Sequence, residues 1–193
     1  QETVLPRREV ILCAGTLASP QLLMLSGIGP ADELAAKGIR PVHALPGVGR
    51  NLHTHPIIRL SYTCTQPVSL LPWTQPPRKW LAGLRWLLAR KGAATSNHMD
   101  TGLFVRTNPG LDRPDGIITL VPLVLGCAYG DSDIHGFEIY MELLGARSRG
   151  AVTLRSDDPA DLPSFRFNFL EDTRDQDAFR TGAKIMRSVV AQP

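Results

Sequence analysis

The sequence predicts an α+β fold: an antiparallel sheet covered by helices, preceded by a short α/β strand–helix piece. Three observations carry this expectation. Residues 57–155 hold several apolar, partly β-branched runs separated by Gly, Asp, Pro and Ser turns, which suits consecutive antiparallel strands. Residues 78–91 and 175–191 repeat their apolar positions at helical spacing. Residues 10–29 read as a buried strand entering a helix through small residues.

In chain order, Val10-Ile11-Leu12-Cys13-Ala14 is short, apolar and partly β-branched, the pattern of a strand covered on both faces. Ala14 and Gly15 follow, where a backbone or a ligand can approach closely. Ser19 has the chemistry of an N-cap, Pro20 of a first helical residue, and Gly27 of a stop. A short helix is expected over residues 31–37 and an extended piece over 39–44. The Gly47-x-Gly49 pair lacks a third glycine and a following helix, so it reads as a turn. Residues 57–63 are strand-like, and a Pro-rich loop spans 66–77. Trp80, Leu81, Leu84, Leu87 and Leu88 give an amphipathic helix over 78–91, ended by Gly92. Strands are expected over 101–106, 117–125, 136–144 and 151–155. A last helix, 175–191, puts Phe179, Ala183, Met186 and Val190 on one face. A boundary near residue 56 divides a first portion, 1–56, from a sheet-and-helix domain, 57–193.

Composition narrows the function. With 43% hydrophobic and 20% charged residues and a mean hydropathy of −0.05, this is the make-up of a soluble globular protein. A net charge of +3 is too small to argue for nucleic acid as a partner. Cys13, Cys64 and Cys127 lie far apart, an odd count that argues against a disulfide framework and for a reducing, cytoplasmic compartment. The longest apolar stretch, near residues 117–127, contains Pro122 and is too short to span a bilayer. No signal peptide is recognisable, and an opening of Gln-Glu-Thr rather than Met marks the chain as an excerpt.

Two stretches suggest ligands from their own chemistry. In residues 137–143, Phe137, Ile139, Met141 and Leu143 alternate with Glu138, Tyr140 and Glu142. An aromatic between two carboxylates suits a quaternary ammonium group; the blander reading is a solvated sheet face. The helix over 78–91 carries Arg78, Lys79, Arg85, Arg90 and Lys91 beside Trp80 and Trp86, so it suits either an anionic membrane surface or a helix laid on the sheet. His53 and His55 form no metal site, because no third ligand is placed with them.

The run from Gly15 to Gly29 (Gly, small residue, two free positions, Ser-Pro, aliphatics, Ser-Gly-Ile-Gly) resembles the second signature of the glucose–methanol–choline (GMC) oxidoreductases. Leu45-Pro46-Gly47-Val48-Gly49-Arg50-Asn51-Leu52-His53-Thr54-His55-Pro56 resembles the family's next landmark, usually Gly-Val-Gly-x-Asn-Leu-Gln-Asp-His, with His53 and Thr54 departing from it. Residues 148–159 resemble a third. The resemblance covers nearly the whole chain. It implies FAD as cofactor, a small-molecule alcohol as substrate, and part of a choline dehydrogenase-like enzyme oxidising a primary alcohol to an aldehyde. It further implies that Ala14, Gly15, Ser19, Asn51 and His55 lie near the cofactor. Ser96 to Phe104 resembles a segment bordering the substrate cavity, with Asp100 at an acidic position; an exposed loop acid is the simpler reading. The family's G-x-G-x-x-G turn and C-terminal catalytic histidine are not in this sequence, so the excerpt carries no catalytic base and the isolated chain is expected to be inactive. The remainder of the parent chain is the implied partner. The alternative is a non-catalytic binding module that keeps the fold.

Overall fold

The computed structural model describes residues 5–99, 101–124 and 134–192. They form two compact units: Gln1–Thr54 with Ser148–Glu171, and His55–Arg147 with Asp172–Pro193. In chain order the elements are α1 (Gly15–Leu25), β1 (Ile28–Gly29), α2 (Ala31–Ala35), β2 (His43–Ala44), β3 (Arg50–Leu52) and β4 (Ile57–Thr63). Next come α3 (Leu71–Thr74), α4 (Arg78–Ala89), a 3-10 turn (Ala93–Thr95), β5 (Thr101–Val105) and β6 (Gly116–Val121). The chain continues through β7 (Gly136–Leu143), β8 (Gly150–Thr153), β9 (Ser164–Arg166) and α5 (Thr173–Val190).

The second unit holds four of the five predicted strands as an antiparallel layer; the fifth, expected over 151–155, is β8 and pairs in the first unit instead. Its four strands pair in the order β4-β7-β6-β5, all antiparallel. Period-2 alternation sends Ile139, Met141 and Leu143 of β7 to one face, joined by Ile58, Leu60, Ile118 and Val105. Helix α5 closes that face with Ala178, Phe179 and Met186. Gly182 lets α5 pack closely on the sheet: a Cβ there would overlap Sδ of Met141, a side chain that is fully buried. Asp172 caps α5, its Oδ1 accepting the Arg174 N–H at 2.9 Å, so the helix starts two residues before the predicted 175.

The first unit holds a three-stranded antiparallel sheet, β3-β8-β9, and a two-stranded parallel pair, β1-β2. Its core is Met24, Leu34, Leu52, Val152 and Leu154. Gly49 has φ +76° and lies against the Val152 carbonyl, while its own carbonyl accepts the Val152 N–H at 2.7 Å. The conformation and the close approach both require glycine.

Several expectations are corrected. Residues 10–14 are not a strand: Val10 and Ile11 are 71% and 74% exposed, and no segment among the described residues pairs with them. An apolar run becomes a strand only where another strand satisfies its backbone. Ser19 does not cap α1, which begins at Gly15; Ser19 lies within it, and its Oγ accepts the Ala14 N–H at 3.2 Å. The Pro-rich loop contains the short helix α3, with Pro72 in the first turn, where its missing N–H costs nothing. Strand β6 ends at Val121 because Pro122 has no N–H to continue the ladder. Helix α4 ends before Gly92, at Arg90, which adopts the left-handed conformation with φ 54°.

Candidate functional site

In the first unit a cleft of about 380 Å³ opens between the start of α1 and the turn entering β3. Thr16 and Pro20 line one side; Gly49, Arg50, Asn51 and His53 line the other, over Leu52 and Val152. Each element arrives for a local reason. The Gly49 turn brings Asn51 around at φ 56°, a left-handed conformation that asparagine tolerates better than most residues. Helix α1 lines the cleft with Thr16 from its first turn, which has no acidic residue. Its opening N–H groups and the positive end of its dipole are therefore not countered by a carboxylate of its own. Pro20, lacking an N–H, cannot serve the Thr16 carbonyl four residues earlier. Arg50 is committed to Glu33. The cleft is thus polar, lined by Thr16, Arg50, Asn51 and His53, whose side chains carry hydrogen-bonding groups.

Of the five residues expected near a cofactor, Ala14, Gly15, Ser19 and Asn51 fall in this unit. Asn51 lines the cleft; Ala14 and Ser19 are bonded to each other at the start of α1, beside the lining residue Thr16. Gly15, at φ +83°, has open space where a side chain would project. His55 belongs to the second unit, where its Nδ1 lies 3.7 Å from Oε2 of Glu142.

Three of the four expected substrate residues lie on β7. Glu138, Tyr140 and Glu142 share the sheet face opposite α5, as alternation requires. That face is not evenly solvated. Glu138 is 1% exposed, and its carboxylate accepts from Ser61 Oγ at 3.0 Å and pairs with Arg59 at 3.3 Å. Tyr140 is 9% exposed and donates its hydroxyl to Sδ of Met99 at 3.3 Å. Burial pushes its phenol pKa up, the Glu142 charge adds to the rise, a Thr119 hydrogen bond opposes it, and Glu138 contributes a smaller increase. Tyr140 is therefore a neutral hydrogen-bonding phenol across the physiological range. Glu142 is partly exposed. Asp100 lies outside the described residues, as does Cys127.

Sequence reasoning missed Thr16 and Pro20 as cleft residues and Arg59 as the neighbour of Tyr140. The signal for Arg59 was present. Ile57, Arg59 and Ser61 alternate against Ile58, Leu60 and Tyr62, and pairing with β7 sets Arg59 opposite Tyr140. Among the described residues, no group of three His, Cys, Asp or Glu side chains is arranged to hold a metal.

A four-stranded antiparallel sheet backed by one long helix, and a second unit with a polar cleft at a helix start, define an α+β protein with two candidate ligand surfaces. Family models described as GMC oxidoreductase match residues 1–57 and 146–193. The oxygen-dependent choline dehydrogenase of Ectopseudomonas mendocina (strain ymp) is 40% identical over 190 residues, covering 97% of this chain and 33% of the relative. That of Xanthomonas campestris pv. campestris (strain B100) is 41% identical over 194 residues, covering 97% and 34%. The chain belongs to the GMC oxidoreductase family. It spans about a third of the length of the curated relatives it matches. Among solved structures, a formate oxidase superposes with a TM-score of 0.83 at 24% identity, covering 93% of this chain and 36% of the other. A pyridoxine 4-oxidase from Mesorbium loti gives 0.71 at 24%, covering 93% and 32%. These two likenesses establish the fold.

Proposed function

We propose that this chain is part of an FAD-dependent alcohol dehydrogenase or oxidase, choline dehydrogenase-like, that oxidises a primary alcohol to an aldehyde. The observation that carries the reading is the polar cleft beside α1. FAD combines an anionic pyrophosphate with ribityl hydroxyls and a flat ring system, and the cleft offers donors and acceptors for the polar portion. Its volume of about 380 Å³, near the lower end of ligand pockets, suits part of the dinucleotide rather than all of it. The residues present fit the group in that limited sense.

In this reading the N–H groups at the start of α1 orient toward anionic oxygens, and Asn51 and His53 fix hydroxyls by hydrogen bonding. Bound FAD supplies the hydride acceptor for alcohol oxidation. Tyr140, neutral and hydrogen-bonding, and the partly exposed Glu142 orient the alcohol; a carboxylate beside an aromatic face favours a cationic substrate. Glu138 acts one step back, holding Arg59 in place. No group of this chain is assigned the proton transfer.

The test is a visible absorption spectrum of the purified chain after incubation with excess FAD and desalting. A retained flavin band that Asn51→Ala and Thr16→Val weaken supports the reading. A colourless protein overturns the assignment of the cleft.

A further inference from the structure

The two carboxylates of β7 that flank Tyr140 are not equivalent. Glu138 and Glu142 stand two residues to either side of it on one sheet face, each roughly 7 Å along the strand. Glu138 is buried; its Oε1 accepts from Ser61 Oγ at 3.0 Å, and its Oε2 lies 3.3 Å from Nη1 of Arg59. Glu142 keeps 31% of its side chain exposed, and its neighbour is His55, with Nδ1 at 3.7 Å.

Strand register produces this difference. In β4, Arg59 stands opposite Tyr140, Ser61 opposite Glu138, and Ile57 opposite Glu142. Directly opposed side chains lie about 5 Å apart and diagonal ones about 7–8 Å. Arg59 therefore starts beside the phenol and reaches one row along, to Glu138, while Ile57 brings Glu142 no charge. The other strands add none to this face: β6 sets Val121, Thr119 and Ile117 there, and β5 sets Gly102 and Phe104. Among the described residues of the four strands, its titratable or charged side chains are Arg59, Glu138, Tyr140 and Glu142. Glu138 and Tyr140 are already buried within this chain, so further protein adds to that burial without creating it.

A carboxylate buried this deeply is sustained by its counter-charge. Once paired, the two act at a distance as a dipole, whose field falls off faster than that of a single charge. We propose that Arg59 is a specificity-determining residue of this face: it cancels Glu138, so that a substrate group beside Tyr140 meets the full charge of one β7 carboxylate, Glu142, rather than two. Arg59 acts through Glu138 and need not touch the substrate. The strength of the preference for a cationic over an uncharged alcohol is what it sets. This role rests on β7 being the substrate side of the enzyme; the charge balance itself does not.

Ultraviolet titration of the purified chain reads that balance at the Tyr140 phenol, with Tyr140→Phe as the difference standard. Glu138→Gln leaves the guanidinium without its counter-charge, and the phenol should ionise at lower pH than in the native chain. Arg59→Gln leaves the carboxylate, and the phenol should ionise at higher pH. The double variant should return to the native midpoint, and Arg59→Lys, which keeps the charge, should stay near it. His55 and His98, in the segments before β4 and β5, are the same in every variant. In the complete enzyme, kcat/KM for choline relative to its uncharged carbon isostere should fall at least about threefold in Glu138→Gln, with KM carrying the change. It should rise by a similar factor in Arg59→Gln, and the double variant should restore the native ratio. Glu138→Gln keeps a partner for Ser61, so it decides the matter if Arg59→Gln strands a buried charge and fails to fold. A phenol midpoint that Glu138→Gln leaves unmoved overturns the proposal, as does a midpoint that shifts while the substrate ratio stays fixed. An unsubstituted complete enzyme that oxidises neither alcohol overturns the substrate reading of β7, and the specificity role with it.

Discussion

Nη1 of Arg59 lies 3.3 Å from Oε2 of Glu138, joining a guanidinium that is 44% exposed to a carboxylate that is 1% exposed. The two residues are on adjacent strands, and Ser61 supplies the carboxylate's other oxygen with a 3.0 Å bond. The buried acid is the anchor and the half-exposed base is what it holds. Glu138→Ala removes that anchor and strands the Ser61 hydroxyl. Chemical denaturation should show a loss of about 1–3 kcal/mol, below the range for fully buried pairs because Arg59 reaches water. Glu138→Gln keeps the bond to Ser61 and should cost less. Equal losses for the two variants would mean that the charge paired with Arg59, not packing or the Ser61 bond, is what Glu138 contributes.

Tyr140 should titrate late. Burial raises its pKa first and the Glu142 charge second, so a near-ultraviolet titration, with Tyr140→Phe as the difference standard, should put this phenol above the ordinary value of 10.0. Glu142→Gln should move it back down by the smaller, electrostatic part. Because the folded pKa is raised, the neutral phenol's contribution to stability is intact below the unfolded value. It falls away as pH rises through the folded one. A Tyr140 titration unchanged by Glu142→Gln would remove the charge from the account.

The same two side chains test the substrate reading. In the complete enzyme, Glu142→Gln should raise KM for a quaternary ammonium alcohol such as choline by more than it raises KM for a neutral primary alcohol. Steady-state kinetics with both substrates decide it. Equal changes would mean that the carboxylate supports the sheet face without recognising a cation.

How much of this was legible in sequence follows from what each signal can encode. Alternation along β7 placed Glu138, Tyr140 and Glu142 on one face correctly, because side-chain direction in a strand is local. It did not reveal that Glu138 is buried, since that depends on Ser61 and Arg59, dozens of residues away. The amphipathic pattern of α4 identified an apolar face but not what the face meets; α5 had already closed the core. Arg50–Leu52 is too short for any periodicity to mark it as β3, and it exists because β8 comes to pair with it. Residues 10–14 show the opposite case, a run with strand chemistry and no partner among the described residues. Asn51 was reached through the spelling of its turn, whereas Thr16 and Pro20 became cleft residues only when α1 and the Gly49 turn met.

Asp172 gives the fold an acid-sensitive point. The Arg174 side chain and then its N–H hold the carboxyl down at about 2, below the ordinary value of 3.8. A depressed carboxylate contributes stability above its unfolded pKa and loses that contribution as pH falls toward the folded one. The window is therefore about pH 4 down to 2. Amide exchange in the first turn of α5 should accelerate across that window in the native chain. In Asp172→Asn, which can still accept a hydrogen bond but does not titrate, the acceleration should be absent. Acceleration of the same size in both proteins would place the acid sensitivity elsewhere.

Gly49→Ala separates the cleft from the rest of the molecule. At φ +76° an alanine is strained, and its Cβ would collide with the Val152 carbonyl that borders the turn. The backbone must shift, and the bond from the Val152 N–H to the Gly49 carbonyl shifts with it. The cost should be about 1–3 kcal/mol. It falls on the first unit, so hydrogen exchange should quicken in β3 and β8 while β4, β6 and β7 keep their protection. Because Asn51 enters the cleft from the same turn, any flavin retention should fall together with the protection of β3. If β3 loosens and flavin retention is unchanged, the turn shapes the sheet but does not hold the ligand.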